Sequence, residues 1–240
     1  NLHPFTYTRH IQDIRIGILT TREKWESYLK VASADKWENS FLDSTESIRI
    51  EKNIAKGEYL LVHSNVLPTK KVINKIKGLK NGELLTSIKG GVIAYKFSDK
   101  EVEGLHKIKI NHPVDYKGEI KTLNYPWQIF QMNDWAIRED YKLIVNGRKS
   151  NPISKTNKVV NASQVFIEAS MLRGPVSIGK SAVVKMGTKI YGATTIGPFC
   201  TVGGEIKNSV LFAYSNKAHD GYLGDSVIGE WCNLGAGTTN

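Results

Sequence analysis

Every sixth residue is apolar across one long segment of this sequence, and few folds are compatible with that rhythm. The residues at this spacing are Val160, Phe166, Leu172, Ile178, Val184, Ile190, Ile196 and Val202. A period of six differs from the 3.6-residue period of an α-helix and from the two-residue alternation of a single strand. It is typical of a parallel β-helix, in which one short strand forms each face of a repeating coil. We therefore predict a left-handed parallel β-helix made of hexapeptide repeats.

The rhythm resumes after a step of eight residues, which extends the predicted stem to about four or more three-sided coils. The resumed positions are Val210, Asn216, Tyr222, Ile228 and Leu234. Glycine often follows the repeating position, at Gly179, Gly197, Gly203, Gly229 and Gly235. Because glycine tolerates backbone conformations that other residues avoid, we assign these glycines to sharp bends between faces.

Residues 1–150 carry a different pattern, in which strand-like and helix-like segments alternate. The predicted strands are Arg15–Thr20, Glu58–Asn65 and Gly91–Phe97, and the predicted helices are Thr21–Val31, Lys70–Leu79 and Pro126–Leu143. This alternation favours an α/β domain with a mostly parallel sheet. We therefore predict two domains, an α/β domain over 1–150 and the β-helix over 151–240. Asn1 is not an initiator methionine and Asn240 interrupts a repeat, so we expect the first domain to be incomplete at its N-terminus and the second at its C-terminus.

Composition argues against several classes of function. The chain carries a net charge of +10, but its lysines are scattered and lack the aromatic interleaving of nucleic-acid readers, so we expect a solvated surface and no nucleic-acid partner. No apolar run approaches the roughly 18 residues that span a bilayer, so we expect no membrane partner. Cys200 and Cys232 occupy small-residue positions of the repeats and are predicted to be inert thiols in a reducing cytoplasm. The repeats contain His219 as their one histidine, which argues against a three-histidine zinc site.

Two segments carry a resemblance to known families. The segment 217–237, KAHDGYLGDSVIGEWCNLGAG, resembles the acetyltransferase half of the bacterial bifunctional enzymes that make UDP-N-acetylglucosamine. The residues in register with that family's H-x-x-Y-x-G-[DN] run and the glycines after it are His219, Tyr222, Gly224, Asp225, Gly229, Asn233 and Gly235–Gly237. In residues 1–150, HPFTYTRHIQDIRIGILTTREKW and LNYPWQIFQMNDWAI resemble a sugar-nucleotidyltransferase-like subgroup fused to the same repeat domain.

The first domain also departs from the pattern of nucleotidyltransferases. The phosphate-binding glycine loop G-x-G-x-R, which such enzymes carry before a T-x-x-R-P segment, is not within residues 1–240. His10 stands where that segment has proline. Nucleotidyl transfer, which would require Mg²⁺, therefore stays open as a second activity.

The acetyltransferase resemblance implies a role for each matching residue. His219 would be the general base, since the pKa of histidine lies near 6.5 and suits proton transfer from an amine. Lys207 would hold the sugar phosphate as a point charge, and Lys189 would assist it. The carboxylates that could orient the His219 ring are Glu205, Asp220 and Asp225.

Tyr222 and Asn233 would contact the sugar ring or its amino group. From the residues alone other interpretations stay open. Tyr222 can instead pack in the coil, and Asn233 can be a turn residue. His219 can be a surface residue, and Lys207 and Lys189 can be solvated side chains.

The resemblance implies an acetyl-CoA-dependent N-acetyltransferase that acts on a sugar phosphate, glucosamine 1-phosphate, in the path to cell-wall (peptidoglycan) nucleotide sugars. It also implies a cytoplasmic homotrimer that holds the coenzyme between coils of two subunits, with most coenzyme contacts beyond Asn240. One alternative is an acyltransferase for another amino sugar or nucleotide sugar. The other is a protein without catalytic activity that binds a nucleotide sugar and serves as a regulator or scaffold.

Overall fold

The computed structural model describes residues 2–33, 47–49, 55–103, 107–110, 112–145, 166–167 and 170–240. The chain forms two compact units, one of Asn1–Ser27 with Leu123–Asn240 and one of Tyr28–Thr122. The predicted domain boundary at residue 150 and the repeat position Val160 lie outside the described residues, so the boundary stays a prediction.

Short strands dominate the described residues, with four α-helices among them. The helices are α1 Thr21–Leu29, α2 Lys70–Lys77, α3 Trp127–Gln131 and α4 Asn133–Asp140. The strands before the repeats are β1 Arg15–Ile16, β2 Leu19–Thr20, β3 Ser47–Arg49, β4 Glu58–Val62, β5 Val66–Leu67, β6 Glu83–Ser87, β7 Val92–Ser98, β8 Val102–Glu103, β9 Lys107–Lys109, β10 His112–Tyr116 and β11 Lys121–Thr122. The strands of the repeats are β12 Phe166–Ile167, β13 Met171–Arg173, β14 Val176–Ile178, β15 Val183–Val184, β16 Lys189–Tyr191, β17 Thr194–Ile196, β18 Thr201–Val202, β19 Glu205–Lys207, β20 Val210–Leu211, β21 Asn216–Lys217, β22 Tyr222–Gly224 and β23 Val227–Ile228.

The largest sheet of the unit Tyr28–Thr122 has the strand order β10-β6-β7-β4. Only the β10–β6 pair is parallel, whereas β6–β7 and β4–β7 are antiparallel, so the prediction of a mostly parallel sheet is wrong for the described residues. The reason is the short turn between β6 and β7, where the Gly90 N–H donates to the Ser87 carbonyl at 2.8 Å. A parallel pair would need a crossover of a dozen or more residues. Leu84, Tyr95 and Phe97 form the core of this sheet.

The predicted helices are present, but the last one is interrupted. At the start of α1 the Thr20 hydroxyl accepts from the Glu23 N–H at 3.2 Å, and the Glu23 carboxylate accepts from the Thr20 N–H at 2.6 Å. This reciprocal capping box explains why the helix begins there. The segment predicted as one helix, Pro126–Leu143, instead forms α3 and α4, which meet at Met132.

The repeats form a three-faced parallel β-helix. We define the first face as β12, β15, β18 and β21, the second face as β13, β16, β19 and β22, and the third face as β14, β17, β20 and β23. Every strand pairs in parallel with its counterpart one coil later, which confirms the parallel β-helix and is consistent with the left-handed form. The fully buried aliphatic side chains at its centre include Val184, Ile190, Ile196, Val202, Ile206 and Leu211.

The inward rhythm shifts after Val202, and three predicted inward positions are wrong by one residue. The register places Leu211, Lys217 and Leu223 inward, where the spacing predicted Val210, Asn216 and Tyr222. The corner between β18 and β19 contains only Gly203 and Gly204, whereas the same corner one coil earlier contains residues 185–188. The next step is also shorter, since Ile206 and Leu211 are five residues apart where Ile190 and Ile196 are six apart. Together these two short steps break the six-residue period. Ile228 and Leu234 pack against the core as predicted.

Close contact between successive coils explains three of the corner glycines, Gly179, Gly197 and Gly203, and corrects their assignment to sharp bends. A Cβ added to Gly197 would lie 2.6 Å from the carbonyl carbon of Phe212. One added to Gly203 would lie 2.3 Å from the Ala218 carbonyl oxygen. The left-handed backbone positions of one corner are instead held by Ser181, Phe199, Tyr214 and Trp231.

Other parts of the same unit cover the third face. The Asn133 side chain accepts from the Gly17 N–H at 2.8 Å and donates to the Ala193 carbonyl at 2.7 Å. The Thr195 hydroxyl, on β17, donates to the Gly17 carbonyl at 3.0 Å. Helix α4 thus holds the β1–β2 hairpin against the third face. This covered part of the third face is not open to a ligand, which favours the other faces of the β-helix as ligand sites.

Candidate functional site

The second face brings three of the predicted substrate-binding residues together. Strand register aligns one outward column made of Met171, Lys189, Glu205 and Tyr222. It aligns a second outward column made of Arg173, Tyr191, Lys207 and Gly224. The inward residues between the columns are buried, which leaves the polar side chains on the outside of the sheet. Lys189, Lys207 and Tyr222 therefore share one face, although they are far apart in the sequence.

Glu205 is the centre of the hydrogen bonding on this face. The Tyr191 hydroxyl donates to Glu205 Oε1 at 2.5 Å, and Lys189 Nζ lies 3.8 Å from Glu205 Oε2. The hydrogen bond to this carboxylate raises the pKa of Tyr191 to about 12, so the phenol stays protonated. From the sequence, Glu205 was a candidate only for orienting the histidine ring, and Tyr191 was not a candidate at all. The contact between Tyr191 and Glu205 depends on strand register, which the sequence does not give.

Tyr222 lies across its own strand on the outside of the coil. A Cβ added to Gly224 would lie 2.3 Å from the Tyr222 hydroxyl oxygen and 2.6 Å from its Cζ. The Tyr222 ring can occupy this position only because residue 224 is glycine. The open alternative, that Tyr222 packs inside the coil, does not hold, since Leu223 takes the inward position.

His219 lies at the corner that joins β21 to β22, and it is exposed to solvent. Its carbonyl oxygen accepts a hydrogen bond from Lys217 Nζ at 2.6 Å. The preceding coil lies close beneath this corner, since a Cβ added to Gly204 would be 3.0 Å from the His219 carbonyl oxygen. The corner therefore presents the imidazole outward on a tightly packed backbone.

The three carboxylates that could orient the His219 ring are in different situations. Glu205 is held by Tyr191 and Lys189, as described above. Asp225 Oδ1 accepts from Asn208 Nδ2 at 3.2 Å at the next corner. Asp220 is exposed and follows His219 directly.

Asn233 is not on the second face. It pairs with Asn216 in a parallel bridge and so continues the first face. It is exposed, as is Asn216. The structure thus brings together Lys189, Lys207 and Tyr222 and leaves Asn233 on the neighbouring face.

The two cysteines are free thiols. Cys200 is fully buried, and burial raises the pKa of its thiol to about 11. Its Sγ lies 2.7 Å from the Phe212 carbonyl oxygen. Cys232 is partly exposed.

The segment before β1 packs against the β-helix. Arg9, the arginine of the T-x-x-R segment, forms an ion pair with Glu230 at 2.8 Å and lies over the Phe212 ring at 5.3 Å. The Arg9 guanidinium thus interacts with a carboxylate and an aromatic ring of the same unit.

Among the residues that the structure describes, no group of three or more His, Cys, Asp or Glu side chains is placed to hold a metal ion. Within the same ranges, none of the helices combines the length and apolar character that crossing a membrane requires.

Comparison with known proteins shows where this chain belongs. A sequence profile described as sugar nucleotidyl transferase matches residues 1–149. The bifunctional protein GlmU of Clostridium botulinum (strain Kyoto / Type A2) is 32% identical over 117 residues, which cover 49% of this chain and 24% of that protein. GlmU of Clostridium kluyveri (strain NBRC 12016) is similar to the same extent.

GlmU of Thermosipho melanesiensis is 27% identical over 252 residues, covering 98% of this chain and 54% of that protein. The chain thus matches between about a quarter and about half of the length of these relatives. Because the profile covers more than half of the sequence, the chain belongs to the sugar nucleotidyl transferase family.

Proposed function

We propose that this protein transfers an acetyl group from acetyl-CoA to the amino group of a sugar phosphate, with glucosamine 1-phosphate as the acceptor. The observation that carries the proposal is the second face, which places Lys189, Lys207 and Tyr222 on one surface. The exposed His219 lies at the corner leading into the last strand of that surface. Similarity to GlmU proteins supports the same assignment.

The proposed reaction requires one proton transfer and one acyl transfer. A nitrogen of the His219 ring accepts the proton of the amine as the new C–N bond forms at the acetyl carbon. The tetrahedral intermediate then collapses, the C–S bond breaks, and the coenzyme A sulfur leaves and takes up a proton. Lys207 binds the phosphate by its charge, and Tyr222 lies beside the sugar ring.

Replacement of His219 tests the proposal. We expect His219→Ala to lower kcat by about 10²–10⁴, the usual contribution of a general base. Because the side chain is exposed, the Tm should stay within about 1 °C of the wild-type value. His112→Ala is the matched control, since His112 is also exposed but lies in β10, in the other unit.

Steady-state acetylation of glucosamine 1-phosphate and of a panel of other amino sugars, together with thermal melts, supplies the measurements. Unchanged turnover in His219→Ala would exclude the proposed base. Faster acetylation of another amino sugar would reassign the acceptor to the alternative class.

Sugar-1-phosphate nucleotidyl transfer is a second candidate function, and the family match over residues 1–149 favours it. Mg²⁺ would be needed for that activity alone, and no step above depends on it. Release of pyrophosphate from a nucleoside triphosphate and a sugar 1-phosphate in the presence of Mg²⁺ tests it. If the protein shows neither activity but binds a nucleotide sugar, the scaffold alternative applies.

We also propose a homotrimer in the cytoplasm. The two free thiols support a reducing compartment. The parallel β-helix is a fold in which a coenzyme can lie between the coils of adjacent copies.

A further inference from the structure

We propose that Tyr191 is a positioning residue that keeps the Glu205 carboxylate away from Lys207, so that Lys207 remains the cation available to the substrate phosphate. The inference rests on the proposed function, because it concerns the same face and the same substrate. It adds a residue that the sequence pattern did not indicate.

The geometry of the second face places Glu205 near two cations. Glu205 and Lys207 are two residues apart on β19, so their side chains leave the same side of the sheet at Cα atoms about 6–7 Å apart. Lys189 lies directly beside Glu205 in the preceding coil. A carboxylate at this position can therefore pair with either lysine.

Tyr191 decides between these two arrangements. Its Cα pairs with that of Lys207, yet its hydroxyl reaches diagonally to Glu205 Oε1 at 2.5 Å. The other carboxylate oxygen lies 3.8 Å from Lys189 Nζ. With one oxygen bound by the phenol and the other 3.8 Å from Lys189 Nζ, the Glu205 carboxylate forms no ion pair with the described Lys207. The raised pKa of Tyr191 is consistent with a phenol that keeps its proton and continues to donate.

The charge distribution that results suits a phosphorylated substrate. Lys189 Nζ lies 3.8 Å from Glu205 Oε2, whereas Lys207 has no ion pair among the residues that the structure describes. Beside Glu205, an approaching anion therefore meets Lys207 as the lysine without a carboxylate partner. The exposed Arg173 continues the same outward column two coils earlier.

Removal of the single hydroxyl tests this inference. In Tyr191→Phe the ring remains, but Glu205 Oε1 loses its donor and becomes free to pair with Lys207. We expect the Kd and KM for glucosamine 1-phosphate to rise about three- to fivefold, which is the size that a half-exposed ion pair can account for. The kcat should change less than twofold, and the loss should shrink at high salt, because competition between exposed charges is screened.

Three comparisons separate this role from a general loss of structure. Binding of glucosamine, which lacks the phosphate, should be unchanged in Tyr191→Phe. Tyr214→Phe removes a hydroxyl from an exposed corner outside the second face and should leave both ligands unaffected. The double variant Tyr191→Phe/Glu205→Gln removes the competing carboxylate and should restore the Kd for the sugar phosphate.

Calorimetric titration with glucosamine 1-phosphate makes the result independent of turnover. If the wild type binds this ligand and Tyr191→Phe binds it equally well, the inference is wrong and the proposed function stands. An equal loss for glucosamine and its phosphate would also overturn it. If the wild type does not bind the sugar phosphate, the proposed substrate and the inference fail together.

Discussion

At the scale of single residues, the least expected feature is a lysine inside the β-helix. Lys217 occupies the inward position that Val184 and Val202 hold in the preceding coils, and it is 1% exposed. Its ammonium donates to the carbonyl oxygens of His219 at 2.6 Å and Gly203 at 3.4 Å. These acceptors offset part of the cost of burying the charge. Loss of hydration still lowers the pKa of Lys217 below its ordinary value of 10.5.

This buried lysine predicts a specific dependence of stability on pH. Between the lowered pKa of the folded state and 10.5, the unfolded chain binds more protons at Lys217 than the folded chain does. The free energy of unfolding contributed by Lys217 therefore rises with pH in that window. Lys217→Met abolishes this titration. The Tm of the wild type minus the Tm of the variant should therefore increase as the pH rises toward 10.5.

Thermal melts of both proteins at a series of pH values provide the measurement. The difference between the two Tm values cancels the other titrating groups, which are common to both proteins. A difference that stays constant with pH would contradict the assignment of a lowered pKa.

At the scale of secondary-structure elements, an ion pair buried within one unit holds the β1–β2 hairpin against α4. Asp140 Oδ2 accepts from the N–H groups of Ile18 at 2.8 Å and Leu19 at 3.0 Å, and it also binds Lys24 Nζ. Both charged side chains are 3% exposed. Gly17 allows this approach, since it has a φ of +73° and an added Cβ would lie 2.6 Å from Asp140 Oδ2. One carboxylate thus joins a turn and two helices.

Asp140→Ala should therefore destabilise the protein strongly. The substitution leaves the Lys24 charge buried without its partner and removes the acceptor of two backbone N–H groups. We expect the free energy of unfolding to fall by about 3–5 kcal/mol, as measured by urea denaturation.

Two further variants isolate the buried charge. Asp134→Ala breaks an exposed ion pair with Arg138 on the same helix and should cost less than about 1 kcal/mol. Lys24→Met/Asp140→Asn removes both charges and should recover part of the loss. Equal effects of the Asp134 and Asp140 variants would show that the buried pair contributes little.

At the scale of the whole molecule, the arrangement of the chain decides which surfaces of the β-helix can bind a ligand. Helices α3 and α4 pack against the third face within one compact unit. The outward columns of the second face keep their polar side chains, with Lys189 and His219 among the accessible ones. A ligand or another copy of the chain can therefore approach this face.

The proposed homotrimer is tested at this scale. We expect light scattering after size-exclusion chromatography to give three times the 26.8 kDa mass of the chain. The physical reason is that a coenzyme held between the coils of two copies leaves the site incomplete in a single copy. A monomeric mass combined with full acetyltransferase activity would contradict this proposal.

Much of the candidate site could be predicted from the sequence, but its internal contacts could not. The resemblance to the acetyltransferase family indicated His219, Tyr222 and Lys207. The sequence did not predict a role for Tyr191, because this residue belongs to no local sequence motif. Its contact with Glu205 exists only because adjacent coils align their strands.

The apolar period alone determined that the chain forms a parallel β-helix, since side chains at every sixth position can share one core only in such a coil. Tertiary structure decided the phase of the last coils, because the short corner at Gly203 and Gly204 and the five-residue step from Ile206 to Leu211 shift which residues point inward. It also decided that Lys217 is buried and that Asn233 lies on a different face from Tyr222. Periodicity is a local property of the sequence, whereas register and burial depend on the length of every corner and on the elements that pack outside the coil.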